Sequence, residues 1–247
     1  MPPISTSSSK SPDWHSFPAY RFGMADTRPH NGPSLVVLAA MCIALLFGGL
    51  AIGVWIGGLM PLPYGPIGPV QHYVQTQSLA VHIIAVAVFG SSVLLAVYAA
   101  TVSARLRWLG DTGAGPTIAL TGGILAAGSL SLTGLLGWTL SRPEITGDTT
   151  LVRALYLLTF LVGGTAHVVA LGVLIAGIAT SGLAHGLPRA LAWVGIAIAA
   201  LCELTMLVLV WQPLGPVLPV ARVAALAWLL AAGARLPTRR SESATPA

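Results

Sequence analysis

The chain has 247 residues, of which 55% are hydrophobic and only 8% are Asp, Glu, Lys or Arg, with a formal net charge of +5 at pH 7. So few charged residues cannot cover the surface of a water-soluble globular protein. The composition therefore excludes water-soluble globular proteins and predicts a lipid-facing surface. The basic residues lie in short segments beside apolar runs rather than in a patch interleaved with aromatic residues, so we expect no nucleic-acid partner.

Apolar runs long enough to cross a bilayer, which takes roughly 20 residues, follow a polar N-terminal segment. Residues 1–33 are rich in Ser and Pro and lack apolar periodicity, which predicts a flexible tail. The first apolar run is too long and begins too late for a cleaved signal peptide, so we expect it to be retained as a membrane helix. Six spans are predicted at residues 34–60, 78–102, 116–140, 153–180, 189–211 and 217–234. They predict an all-α membrane bundle over residues 34–234, followed by a short tail over residues 235–247.

The distribution of Lys and Arg predicts the orientation, because positively charged segments tend to stay on the cytoplasmic side. With the N-terminus inside, three basic residues face outside, Arg142, Arg153 and Arg222. The other nine face the cytoplasm: Lys10, Arg21, Arg28, Arg105, Arg107, Arg189, Arg235, Arg239 and Arg240. An even number of spans then places both termini in the cytoplasm, and we expect a plasma membrane of the bacterial type.

The first span carries Gly49, Gly53 and Gly57, a double G-x-x-x-G spacing. This spacing places small residues on one helix face, where a neighbouring backbone can approach closely. We favour packing within the bundle over a homodimer face, because Gly-rich apolar spans produce such matches by chance.

The outer loop over residues 61–77 reads PLPYGPIGPVQHYVQTQ and contains four prolines and no formal charge. Its prolines predict an extended or turn-like conformation. The loop is either a plain connector or the lining of an outward-facing cavity.

Among the ionisable residues at membrane depth, three stand out, His82, His167 and Glu203. Such groups are expensive in hydrocarbon and are functional candidates for that reason. His167 and Glu203 lie on consecutive antiparallel spans at comparable depth, so a hydrogen-bonded pair is geometrically feasible. The pair would either fix the register of the two helices or respond to protons in a substrate or ion cavity. A third alternative is haem ligation by His82 and His167, although their depths differ by several residues.

Arg222 lies at the outer entrance of the sixth span, where a long basic side chain can reach the lipid headgroups. The alternative is a pairing with an anion or with Glu203. The two cysteines fall inside apolar spans, and the sequence has no H-E-x-x-H, G-x-S-x-G, Walker, C-x-x-C or dinucleotide-binding motif. We therefore assign no catalytic residue, no metal site and no cofactor.

The C-terminal half contains LYLLTFLVGGTAHVVALGVLIAGIA, LPRALAWVGIAIAALCELTMLVL and ARVAALAWLLAAG. These segments resemble the bacterial six-span membrane proteins grouped as domain of unknown function 4386. The likeness covers roughly the last 90 residues and includes the Gly-Gly to His segment, the L-P-R-x-L-A-W entry, the Glu-Leu-Thr and the Trp-Leu-Leu. The resemblance implies a multi-pass membrane protein and supplies no catalytic residue.

The sequence thus predicts a small transporter or membrane-accessory protein with an intramembrane His/Glu site. A structural subunit of a larger membrane complex and a haem-binding redox protein are the alternatives. The expected partners are the lipid bilayer and either a second copy of the chain or another membrane subunit.

Overall fold

A computed structural model describes residues 32–237, which form helices and no strand. Nearly all of the predicted N-terminal tail and most of the predicted C-terminal tail lie outside these residues. Six helical segments are long and apolar enough to cross a membrane: Leu35–Gly57, Ser78–Trp108, Gly115–Leu140, Thr149–Ala184, Arg189–Leu209 and Gln212–Arg235. The described residues therefore form a helical bundle with six candidate membrane spans, as the hydropathy pattern predicted, which is compatible with a multi-pass membrane protein.

Several spans consist of more than one element. The α-helices are α1 (Leu35–Gly57), α2 (Ile67–Thr76), α3 (Ser78–Trp108), α4 (Gly115–Leu140), α5 (Pro143–Thr146), α6 (Thr149–Leu161), α7 (His167–Ala184), α8 (Arg189–Leu204) and α9 (Val217–Arg235). A π-helical turn over Val162–Ala166 joins α6 to α7, and 3-10 turns over Thr205–Leu209 and Gln212–Leu214 lie between α8 and α9. The fourth, fifth and sixth spans are thus irregular, which apolar periodicity does not predict.

The spans pack in chain order and close into a ring. α3 packs against α1 and α4, α4 against α7, and α7 against α8, while α9 contacts both α8 and α1. α7 also contacts α3 and α9 across the ring, and the fourth span is the most deeply buried of the six. The junction between α6 and α7 therefore lies in the interior of the bundle.

Glycines let the central helices approach each other. A Cβ at Gly122 of α4 would collide with the backbone of Leu174 on α7, and one at Gly177 of α7 would collide with Ala119 on α4. Such contacts bring backbones together where side chains cannot fit, which is how helices associate without a hydrophobic driving force between them.

The G-x-x-x-G face of α1 is covered within the bundle. A Cβ at Gly49 would strike Ala87, one at Gly53 would strike Ile84, and one at Gly57 would approach Ala80, so all three glycines face α3. The structure therefore uses this face for packing inside the chain, which is the interpretation that the sequence favoured.

The segment over residues 61–77 differs from the prediction. It was expected to be extended or turn-like, but Ile67–Thr76 forms α2, whose side chains Val70, Tyr73 and Val74 are buried. Residues 58–66 before α2 and Gln77 after it lie outside helices. The prolines at residues 66 and 69 are compatible with a helix because they stand at the N-cap and in its first turn, where the backbone N–H has no helical partner. We call the end of the bundle that carries α2 the α2 end. The opposite end, which carries Arg105, Arg107, Arg189 and Arg235, is called the basic end.

Candidate functional site

His167 lies at the start of α7 and is completely buried. Its Nδ1 donates a hydrogen bond of 3.0 Å to the carbonyl of Ala126 on α4, and its Nε2 has no partner among the described residues. The imidazole therefore points towards the third span.

Glu203 does not meet His167. Its Oε1 lies against Gly172 of α7, where a Cβ would come within 2.8 Å of it. Gly172 is five residues beyond His167, which rotates it by about 140° around the helix and moves it about 7.5 Å along the axis. The two residues thus lie on nearly opposite faces of α7, and the described residues contain no hydrogen bond or ion pair between them. The pairing that the sequence allowed is not the arrangement in the structure.

His82 belongs to a third, separate location. Its Nδ1 lies 3.3 Å from the hydroxyl of Ser141, which itself donates to the Trp138 carbonyl. Ser141 and Ala126 are fifteen residues apart on one helix, or about 22 Å along its axis. His82 and His167 bind these two distant positions, so they cannot ligate one haem iron from opposite faces.

Arg222 turns into the bundle instead of extending to the headgroups. It lies five residues into α9 and thirteen before Arg235, about 20 Å along the axis from the basic end. Its Nη2 donates to the carbonyl of Gly163 in the π-helical turn, and its Nε is buried without a hydrogen-bond partner in the part of the chain that the structure describes. A cation inside a membrane span is costly, by roughly 2.5–3.5 kcal/mol at the helix centre on insertion scales, so the inward placement of Arg222 calls for compensation.

The Gly163–Gly164 pair explains why this carbonyl is accessible to Arg222. A Cβ at Gly163 would collide with the side chain of Thr133 on α4, so only glycine fits there. In a π-helical turn the backbone hydrogen bonds run from i to i+5, and such turns occur often at functional sites. The small residues and the altered ladder together bring a backbone acceptor to the guanidinium.

Arg222 and Gly163 line a cavity of about 560 Å³ at the α2 end of the bundle. This volume falls within the range of about 300–1,000 Å³ typical of small-molecule sites. Its walls are mainly aliphatic and come from α1, α3, α4, α6 and α9, for example Leu46, Val54, Val88, Leu130 and Leu218. Neither His167 nor Glu203 lines it.

The cavity communicates with the surface of the bundle. Leu50, Leu59 and Leu62 line it and are also 41%, 84% and 79% exposed. Leu50 lies within the first span, about 10 Å from its end at Gly57. The partly exposed wall at Leu50 therefore lies at the depth of the apolar span rather than at the end of the bundle.

The hydroxyl groups in the cavity wall are already bonded to backbone. Thr133 donates to Ser129, Thr159 to Leu155 and Tyr156 to Pro61. Their hydrogens are therefore not free for a ligand, although their oxygens can still accept. Arg222 is the one charged residue in the lining among the residues described here.

Residues 58–66, which we call the cap segment, close the α2 end of the cavity. Tyr156 donates a hydrogen bond of 2.6 Å to the Pro61 carbonyl, and the ring of Tyr64 packs edge-on against Phe160 at 5.5 Å. Tyr73 of α2 donates to the Gly58 carbonyl at 3.3 Å. The cap segment is thus held to α6 and α2 by tyrosines, and of the two functions considered for this loop it fits the cavity lining.

At the basic end, Asp111 joins the α3–α4 loop to the end of α7. Its Oδ1 accepts from the Gly113 N–H at 2.8 Å, and its Oδ2 lies 3.9 Å from His185 Nδ1. Burial raises the pKa of this carboxyl. The Ser181 hydroxyl, the Gly113 N–H and the charge of His185 lower it by a larger amount, so the pKa of Asp111 lies below its ordinary value of 3.8. This polar cluster is far from the cavity and joins structural elements.

Four residues were thus singled out as polar candidates, and only Arg222 lines the cavity. Sequence reasoning missed Gly163 and Tyr156, and it considered the loop over residues 61–77 as a cavity lining without connecting it to Arg222. A signal for Gly163 was present, because a Gly-Gly pair in the middle of an apolar span marks a position where another group approaches the backbone.

Comparison of the chain with family models, with curated proteins and with solved structures gives no match.

Proposed function

We propose that this protein is a small transport or membrane-accessory protein of the plasma membrane that takes a lipid-like molecule into the cavity at its α2 end. The observation that carries the proposal is the cavity of about 560 Å³, whose aliphatic walls reach the lipid-facing surface at Leu50. A cavity of this size with apolar walls favours an apolar or amphipathic occupant over a hydrophilic solute.

The orientation of the bundle belongs to the same proposal. The basic end carries Arg105, Arg107, Arg189 and Arg235, whereas the loops of the α2 end carry fewer basic residues. Basic segments favour the cytoplasm, so the cavity would open to the outer half of the bilayer. The polar centre of the proposed site is Arg222 rather than a His167–Glu203 pair.

The experiment compares two substitutions on the same helix. Val54 lines the cavity, whereas Ile52 is 49% exposed and is absent from its lining. We expect Val54→Trp to reduce photocrosslinking of a long-chain diazirine alcohol to the cavity residues of the protein in phosphatidylcholine nanodiscs, because the indole fills space that the chain would occupy. Ile52→Trp should leave this crosslinking unchanged.

Two results would contradict the proposal. One is crosslinking confined to the outer surface of the spans, with no cavity residue modified in the wild-type protein. The other is a protein that copurifies in stoichiometric amount and covers the cavity, which would favour the structural-subunit alternative. Identification of the molecules that copurify from native membranes completes the test.

A further inference from the structure

We infer that the occupant of the cavity is a single-chain amphipathic anion, such as a long-chain carboxylate, whose charged group pairs with Arg222. This inference rests on the proposed function and specifies its ligand class. It depends on three features of the site: an uncompensated cation, a wall without other charges, and a lateral opening for an apolar chain.

The charge of Arg222 is not neutralised within the part of the chain that the structure describes. That part contains four carboxylates, and none of them forms an ion pair with Arg222. Asp111 lies at the basic end, Glu144 and Asp148 are exposed around α5 and the start of α6, and Glu203 faces Gly172. The carbonyl of Gly163 is the hydrogen-bond acceptor found for the guanidinium. A neutral carbonyl partly satisfies its donors but leaves its charge unbalanced.

A guanidinium left in this state selects for an oxyanion. Arginine presents five N–H donors in a planar fork that matches a carboxylate or phosphate, and these charge-assisted bonds are about twice as strong as neutral ones. One donor is bonded to Gly163 and the Nε–H has no partner among the described residues. The low-dielectric surroundings strengthen the attraction to an anion, so an anionic ligand would offset the cost of burying Arg222.

The remaining wall of the cavity defines the rest of the ligand. Its hydroxyl hydrogens are engaged with backbone carbonyls, so a second polar group on the ligand finds no free side-chain hydroxyl donor there. The rest of the wall consists mainly of aliphatic side chains, among them Val88 and Leu50, and Leu50 is partly exposed within the first span. A chain with one anionic end therefore fits, with its tail directed towards the lateral opening. The volume corresponds to one drug-sized molecule, which favours a single chain over a two-chain phospholipid.

The test measures binding of three ligands with the same alkyl chain, a carboxylate, an alcohol and an amine, to protein in phosphatidylcholine nanodiscs. We expect the wild type to bind the carboxylate about tenfold or more tightly than the alcohol, and the amine most weakly. Arg222→Gln should abolish the preference for the carboxylate while retaining binding of the alcohol, since the amide can still donate to Gly163. The matched control is Arg153→Gln, since Arg153 is exposed in α6 near the same end and does not line the cavity.

The outcomes separate this inference from the proposed function. Equal binding of the carboxylate and the alcohol by the wild type would overturn the inference and leave the proposed function standing. A carboxylate preference that survives in Arg222→Gln would also overturn it. Absence of binding of all three ligands to the wild type would overturn the proposed function itself.

A last arm distinguishes the two sources of an anionic lipid group. We expect nanodiscs that contain phosphatidylglycerol to bind the labelled carboxylate as well as phosphatidylcholine nanodiscs do. Displacement of the carboxylate by phosphatidylglycerol, lost in Arg222→Gln, would overturn the single-chain assignment and identify a phospholipid headgroup as the occupant.

Discussion

At the scale of single residues, burial and hydrogen bonding separate side chains that the sequence grouped together. His167 binds the Ala126 carbonyl on α4, whereas Glu203 lies beside Gly172 on the face of α7 that α8 covers. Depth along a span follows from counting residues, but the direction of a side chain depends on helix rotation. Glu203 lies beside Gly172, which is five positions beyond His167 on α7. That difference places the two side chains on different faces of α7, although counting residues gave them comparable depth.

This geometry predicts the result of a double-mutant cycle with His167→Leu and Glu203→Leu. Because the two side chains share no partner and lie on different faces of α7, the two changes in the free energy of unfolding should add to within about 0.5 kcal/mol. The measurement is thermal unfolding in detergent of both single variants and the double variant. A coupling energy above about 1 kcal/mol would mean that the residues interact after all, since contacting pairs show coupling of about 0.5–3 kcal/mol.

At the scale of elements, glycines decide which helix faces come together. Gly48 and Gly49 are adjacent in α1, but a Cβ at Gly49 would collide with Ala87 of α3, whereas a Cβ at Gly48 would have no atom within 4 Å. The two positions therefore form a matched pair within one helix.

We expect Gly49→Ala to destabilise the protein by about 1–3 kcal/mol, the usual cost of overpacking. Gly48→Ala should be neutral or slightly stabilising, because alanine loses less conformational entropy in a helix. The measurement is the thermal unfolding temperature of each variant in the same detergent. If Gly49→Ala were as stable as Gly48→Ala and instead changed the oligomeric state, the glycine face would be an interface between copies of the chain.

The elements also show where sequence prediction succeeds. The six spans were predictable because hydropathy integrates over some twenty residues and tolerates local irregularity. The π-helical turn at Val162–Ala166 was not predictable, since hydropathy does not report a local change in the backbone hydrogen bonds; within this turn Gly163 packs closely against Thr133. α2 was missed because its prolines indicate a loop unless the position of the helix start is known. Arg222 was identified, but its inward direction depends on that same π-helical turn.

At the scale of the whole molecule, the ring of spans has two chemically different ends. The α2 end holds the cavity, the cap segment and the cation–π contact in which Arg142 lies 3.7 Å from the ring centroid of Trp138. Arg222 no longer counts as a loop charge at this end, because it turns into the bundle. The basic end carries four arginines in the described residues, which strengthens the asymmetry that the sequence indicated.

This asymmetry predicts the topology, because Lys and Arg near the ends of spans favour the cytoplasmic side. We expect Leu62→Cys and Gly147→Cys, both in exposed positions of the α2 end, to react with an impermeant maleimide in intact cells. Thr112→Cys and Ala184→Cys, both exposed at the basic end, should react only after the membrane is permeabilised.

The native cysteines provide a low background for this labelling, since Cys42 and Cys202 are 2% and 0% exposed. Labelling of Thr112→Cys in intact cells would place the basic end outside and reverse the topology. The cavity would then face the inner half of the bilayer, and any ligand would enter it from that side. Because the ring of spans is the same in either orientation, the labelling tests which half of the bilayer the cavity faces and does not test the role proposed for Arg222.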